Sequence, residues 1–234
     1  DCEPEMIEVL VSAIQSNNEI GIAYCRSLMI DQDDVVTGDD YLIRETAFQK
    51  KCFRDCQISN SQMQRFLLYS CVIPNLSAAL IRKSCFETAG RFSSSFQACS
   101  DWDLFFKIAE TFEFYYIAKP LNRFRQHDTT VRTATKGRVT YDEFFRVLLV
   151  EIANIKLTLA ERLRFRTHVM YLWSTELLRP SISGWANFSH HFRLVWKLDR
   201  FALPLLPIAM FIRLIELPSK ALRLVIRKIA SDNV

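Results

Sequence analysis

The sequence predicts an α/β chain followed by an α-helical extension, and three observations carry that expectation. Up to about residue 135, short apolar runs rich in β-branched and aromatic residues alternate with stretches whose apolar residues recur at helical spacing. From Thr140 onward only the helical spacing continues. With 234 residues, half of them hydrophobic and 24% charged, the chain has the apolar material for a real core.

Taken in order, residues 1–18 place Pro4 at a helix opening, acids in the first turn, and Met6, Leu10, Ala13 and Ile14 on one face. Residues 20–30 are apolar and β-rich and predict a buried strand. The acidic run Asp31–Asp34, with Gly38, Asp39 and Asp40, reads as a solvated turn or loop rather than an ion site. Residues 41–58 have no clean period and carry no chemical expectation. Residues 60–70 predict a short helix, 76–81 a strand, and 84–89 a helix ending at Gly90.

Next comes Cys99-Ser100-Asp101-Trp102-Asp103-Leu104-Phe105, an acidic pair opening into an apolar helix. Ser100 is expected to cap it. Asp101 and Asp103 fall in its first turn, where exposed N–H groups and the macrodipole favour negative charge. Residues 112–117 and 121–126 read as strands on either side of Pro120. Along the second, Arg123, Arg125 and His127 fall at i, i+2 and i+4 and share one face if extended. Two cations and an imidazole on one face suit a diphosphate and its metal, against the plainer alternative of ordinary surface charges.

Residues 141–156 and 158–178 predict helices, with a linker at Pro180 and Gly184. Residues 201–212 form an uncharged run of twelve with two prolines, short of the roughly 20 residues that span a bilayer. Beyond it, Lys220, Arg223 and Arg227 lie opposite Leu222, Val225, Ile226 and Ile229, a basic amphipathic pattern suited to a membrane interface or to packing on the domain. The organisation expected is thus residues 1–135, a helical extension over 136–200, and an apolar and basic C-terminal region over 201–234.

A net charge of +4 without a nucleic-acid motif gives no reason to expect DNA or RNA as a partner. Seven scattered cysteines, an odd number, point to reduced thiols and a cytoplasmic location, with peripheral contact on the inner face of a membrane as an option. Cys52 and Cys56 have no second pair nearby to complete a zinc site. The chain opens on Asp without a signal-like segment, so a piece of a longer protein is expected.

The motifs come in a recognisable order: Pro74-Asn75-Leu76-Ser77-Ala78-Ala79-Leu80-Ile81-Arg82-Lys83, then Gly90-Arg91-Phe92, then Ser100-Asp101-Trp102-Asp103, then Pro120-Leu121-Asn122-Arg123-Phe124-Arg125-Gln126-His127. In this order they resemble the acceptor half of a family 2 glycosyltransferase of GT-A fold, over roughly residues 1–132. The resemblance implies a truncated GT-A domain whose nucleotide-binding half lies upstream. It also implies an inverting enzyme that moves a sugar from a nucleotide-diphosphate donor to a hydroxyl of a glycan, lipid-linked or other cell-surface acceptor.

In that family Asp101 would be the general base. Trp102, Asp103, Arg123 and Arg125 would contact substrates, against the plainer alternatives that Trp102 fills the core and Asp103 supports the turn through hydrogen bonds, and Asp1, standing where the last Asp of an Asp-x-Asp motif stands, would join His127 in holding a divalent metal, Mn or Mg. Asp1 is equally readable as an exposed chain end. The family usually has Glu where Ser100 stands and often Gly-Gly-Phe-Asp where this chain has Gly90-Arg91-Phe92-Ser93, which leaves the acceptor open. The alternative from another class is a non-catalytic membrane-surface scaffold that keeps the fold.

Overall fold

The computed structural model describes residues 1–44, 46–73, 75–126, 138–178 and 185–216. The chain divides into two compact units, residues 1–143 and 144–234. The first is α/β, with a mixed five-stranded sheet in which β2 (Val36–Asp39), β1 (Ile20–Ile30), β5 (Glu113–Arg125) and β3 (Cys56–Ile58) are neighbours in that order and β4 (Ala79–Ile81) also pairs with β1. The second is helical.

Helix α1 (Met6–Gln15) forms as its spacing requires: Met6, Leu10 and Ile14 are buried against the sheet. Strand β1 (Ile20–Ile30) is the buried centre, parallel to β5 (Glu113–Arg125). Gly21 sits where α4 (Lys83–Ala89) crosses it; a Cβ there would lie 2.6 Å from both Cys85 Sγ and Phe112 Cβ. Gly90 ends α4 at φ +83°, in the left-handed region that glycine enters without steric cost.

Three segments depart from expectation. The stretch after the acidic run is a strand, β2 (Val36–Asp39), antiparallel to β1, and only residues 31–35 turn. Asp31 closes that turn by accepting the N–H groups of Asp33 and Val35 at 2.9 and 3.0 Å. Asp39 and Asp40 are not solvated: Asp39 ion-pairs with Arg26, and buried Asp40 accepts from Ser27 N–H at 3.0 Å and from Arg44 at 2.6 Å. Arg44, also buried, lies against the rings of Tyr24, Phe48 and Tyr116. Burial pushes the Asp40 carboxyl up while Arg44 pulls it down.

The expected strand over 76–81 opens as a 3-10 turn (Leu76–Ala78) and only then becomes β4 (Ala79–Ile81). The two strands expected around Pro120 are one continuous β5. Its register against β1 jumps from Ile117 opposite Cys25 to Pro120 opposite Arg26, so the proline sits at a bulge where its missing N–H costs no ladder bond. The short elements α2 (Thr46–Lys51), β3 (Cys56–Ile58), α3 (Asn60–Leu67) and α5 (Ser100–Ile108) complete the first unit.

Helix α6 (Arg138–Glu151) runs across the boundary between the units. The second unit continues with α7 (Leu159–Leu177), α8 (Trp185–Asp199), a 3-10 turn (Arg200–Leu205) and a helix over residues 206–216, α9. Thr158 and Glu161 close a capping box at the start of α7. Phe165, Val169, Met170, Trp173, Val195 and Leu198 supply buried apolar side chains, and His191 Nδ1 meets Glu176 at 2.7 Å in the interior. No described helix is long and apolar enough to cross a membrane. The basic amphipathic pattern at 220–229 and the linker around Pro180 lie outside the described residues.

Candidate functional site

Helix α5 carries the carboxylate that matters most. Cys99 is its N-cap and makes no side-chain cap bond, while Ser100 is already the first helical residue, so the expected Ser100 cap does not form. The chain entering the helix is held by tertiary structure instead. Glu143 on α6 accepts the N–H groups of Gln97 at 2.7 Å, Ala98 at 2.7 Å and Cys99 at 3.0 Å. One buried carboxylate thereby satisfies three backbone donors and fixes the direction in which α5 begins.

Asp101 follows in the first turn, half-buried, with its Oδ1 accepting the Trp102 N–H at 2.7 Å. The thiols of Cys71 and Cys99 are electrostatic neighbours. Burial pushes both up, Cys99 to about 12, and the negative charge of Asp101 adds to the rise at each. They therefore stay protonated at neutral pH.

The two neighbours of Asp101 take the plainer of the places open to them, in the fold itself. Trp102 is 2% exposed, its ring tilts against Phe106 at 5.7 Å, and its indole N–H donates to the Leu67 carbonyl at 3.1 Å, so no ring face is offered to a sugar. Asp103 is buried and paired with Lys107 at 2.6 Å one turn along, which braces the helix start.

A second cluster lies at the end of β5. Cys2 bridges to Asn122 in antiparallel sense, with Glu3 N–H donating to the Leu121 carbonyl and Arg123 N–H to the Asp1 carbonyl, each at 2.8 Å. This brings Asp1 beside Arg125, at 3.2 Å, and Glu3 beside Arg123, at 3.0 Å. Arg125 also pairs with Asp34 and donates to the carbonyls of Asp31 and Gln32. Both arginines of the expected cationic face are therefore paired with carboxylates. His127, the other expected metal ligand, lies outside the described residues.

A divalent ion fits this corner poorly. Asp1 has a guanidinium against its Oδ2, and a cation repels another cation brought to the same carboxylate.

Two features had no usable signal in the sequence. Glu143 acts on a loop 46 residues away from it at Gln97, with no spacing rule to link them. Buried Asn122, Asn75 and Ser27 form a polar network beside the second cluster, joined at its edge by exposed Ser77. The Asn122 amide donates to Ser27 Oγ and Asn75 Oδ1 at 3.0 Å each, and the Ser77 hydroxyl donates to Asn75 Oδ1 at 3.0 Å. Small polar residues inside apolar strands are the only hint such a network leaves. No protein-family model and no curated protein matches the chain.

Proposed function

We propose that this chain is the acceptor half of an inverting, nucleotide-sugar-dependent glycosyltransferase of GT-A fold, and that Asp101 is its general base. The observation that supports this best is a half-buried carboxylate in the first turn of α5, on a backbone whose entry is clamped by Glu143. A helix start favours the ionised form, and a base must be ionised and firmly placed to take a proton.

The reaction is a single displacement. The acceptor hydroxyl oxygen attacks the anomeric carbon of the donor as Asp101 takes its proton. The bond to the diphosphate breaks on the opposite face, and the leaving group departs with the electron pair, so the configuration inverts. The donor is a nucleotide-diphosphate sugar and the acceptor a hydroxyl of a glycan or lipid-linked saccharide. The divalent ion that the resemblance implies carries no step here.

A non-catalytic scaffold with the same fold is the second reading, favoured by the neutralisation of Arg123 and Arg125 and the burial of Trp102. Asp101→Asn separates the two. In a polypeptide that includes the nucleotide-binding half, it should leave nucleotide binding near normal and lower transfer by about 10² to 10⁴, because an amide cannot accept the proton. Transfer within about threefold of the parent would remove Asp101 from the mechanism.

A further inference from the structure

Helix α9 turns Ala209 and Arg213 inward and leaves most of its large apolar side chains outside. Arg213 and the partly exposed Glu216 meet at 3.0 Å and both bond the Tyr171 hydroxyl of α7, at 2.8 and 2.7 Å. Ile208, Phe211, Ile212, Leu214 and Ile215 are exposed, Phe211 by 65%. A helix in water does the reverse.

The two helices before it repeat the theme. Leu159, Arg162 and Leu163 fall on one stripe of α7, and Arg193, Trp196, Lys197 and Arg200 on one stripe at the end of α8 and just beyond; all are exposed. Apolar and cationic side chains interleave along both stripes. Within the same unit lies a partly open cavity of about 420 Å³, floored by Ile155, Phe165 and Leu198 and lined by Lys156, Arg162 and Lys197. Its one carboxylate, Asp199, is paired with Arg166 at 2.7 Å. Arg162 and Lys197 make no ion pair among the described residues.

From these features we infer that the C-terminal unit docks on an anionic lipid bilayer, with a lipid phosphate held in the cavity between Arg162 and Lys197 and the apolar face of α9 in the interface. Residues 144–234 hold fourteen Lys and Arg against six Asp and Glu, a net +8 that suits such a surface. The combination selects a lipid surface over a protein partner, because cations set among exposed apolar side chains match phosphates above acyl chains. The inference stands on the second unit alone and does not depend on glycosyl transfer.

The test uses the full chain and vesicles of phosphatidylcholine, with or without phosphatidylglycerol. Flotation should recover the protein with the anionic vesicles and far less with the neutral ones. Arg162→Gln with Lys197→Gln should weaken the anionic binding by roughly thirtyfold. Phe211→Ser with Ile215→Ser should weaken binding to anionic vesicles at high salt, where the apolar contribution remains. Brominated lipid should quench tryptophan emission, and Trp196→Phe should lose most of that response.

Several results overturn the proposal. One is equal binding to both vesicle types; another is indifference to all these substitutions. Saturation of the cavity by inorganic phosphate without vesicle binding would assign it to a free anion. A stable dimer that ignores vesicles and dissociates on Phe211→Ser would assign the α9 face to a second copy.

Discussion

Helices α1 and α9 are of similar length and similarly apolar, yet they face opposite ways. In α1, Met6, Leu10 and Ile14 go into the core of the first unit, and Glu8 and Gln15 stay outside with Ile7 beside them. In α9, Ala209 and Arg213 face inward, while Ile208, Phe211, Ile212, Leu214 and Ile215 are outside. The surrounding charge differs in the same sense. Residues 1–143 hold sixteen Lys and Arg against twenty Asp and Glu, a net −4, while residues 144–234 carry +8. An amphipathic period shows that a helix has two faces; which face meets water depends on what surrounds it. The first unit buries the apolar face of its helix, and the second leaves large apolar side chains exposed in a positively charged region, the pattern on which the proposed lipid docking rests.

The sharpest way to break this comparison is to remove one apolar side chain from each helix. Leu10→Ala should destabilise the first unit by about 2–5 kcal/mol, since it leaves a cavity in a fully buried site. Urea unfolding monitored on the first unit measures it. Gly21→Ala should cost about 1–3 kcal/mol, because its Cβ would overlap Cys85 and Phe112. Amide exchange along β1 would show where the loss falls.

Alkaline pH sharpens the contrast by a different route, since all seven cysteines lie in residues 1–143. Burial pushes the Cys25 and Cys85 thiols up to about 11. In the unfolded chain they ionise earlier, so that state binds fewer protons as pH rises. The stability they contribute is complete below the unfolded value and is lost between about pH 9 and 11, at no more than about 1.4 kcal/mol per pH unit for each thiol. The midpoint of unfolding should fall over that window, and Cys25→Val should flatten the fall.

Thr158→Ala, which opens the capping box of α7, should cost the second unit about 1 kcal/mol in thermal unfolding. The smallest effect is expected in α9, where Phe211→Ser should change folding stability by less than about 0.5 kcal/mol. A loss comparable to that of Leu10→Ala would mean that this face is covered within the folded chain.

Local sequence determined a good part of this molecule. The period of α1, the span of β1, the glycine that ends α4 and the acidic first turn of α5 depend on neighbouring residues alone, and each is found where its pattern placed it. The sheet's pairings, the bulge that lets Pro120 stay within β5, and the burial of the Asp40–Arg44 pair against Tyr24, Ser27 and Tyr116 depend on residues distant in sequence.

The candidate site divides the same way. The place of Asp101 in a helix's first turn was legible because a helix start has its own grammar. The Glu143 clamp, the burial of Trp102 and the pairing of Arg125 with Asp1 and Asp34 were not, because hydrogen bonds and ion pairs choose partners by distance in space. A charged residue in a sequence shows what it can attract, and only the folded chain decides whether that attraction has already been answered.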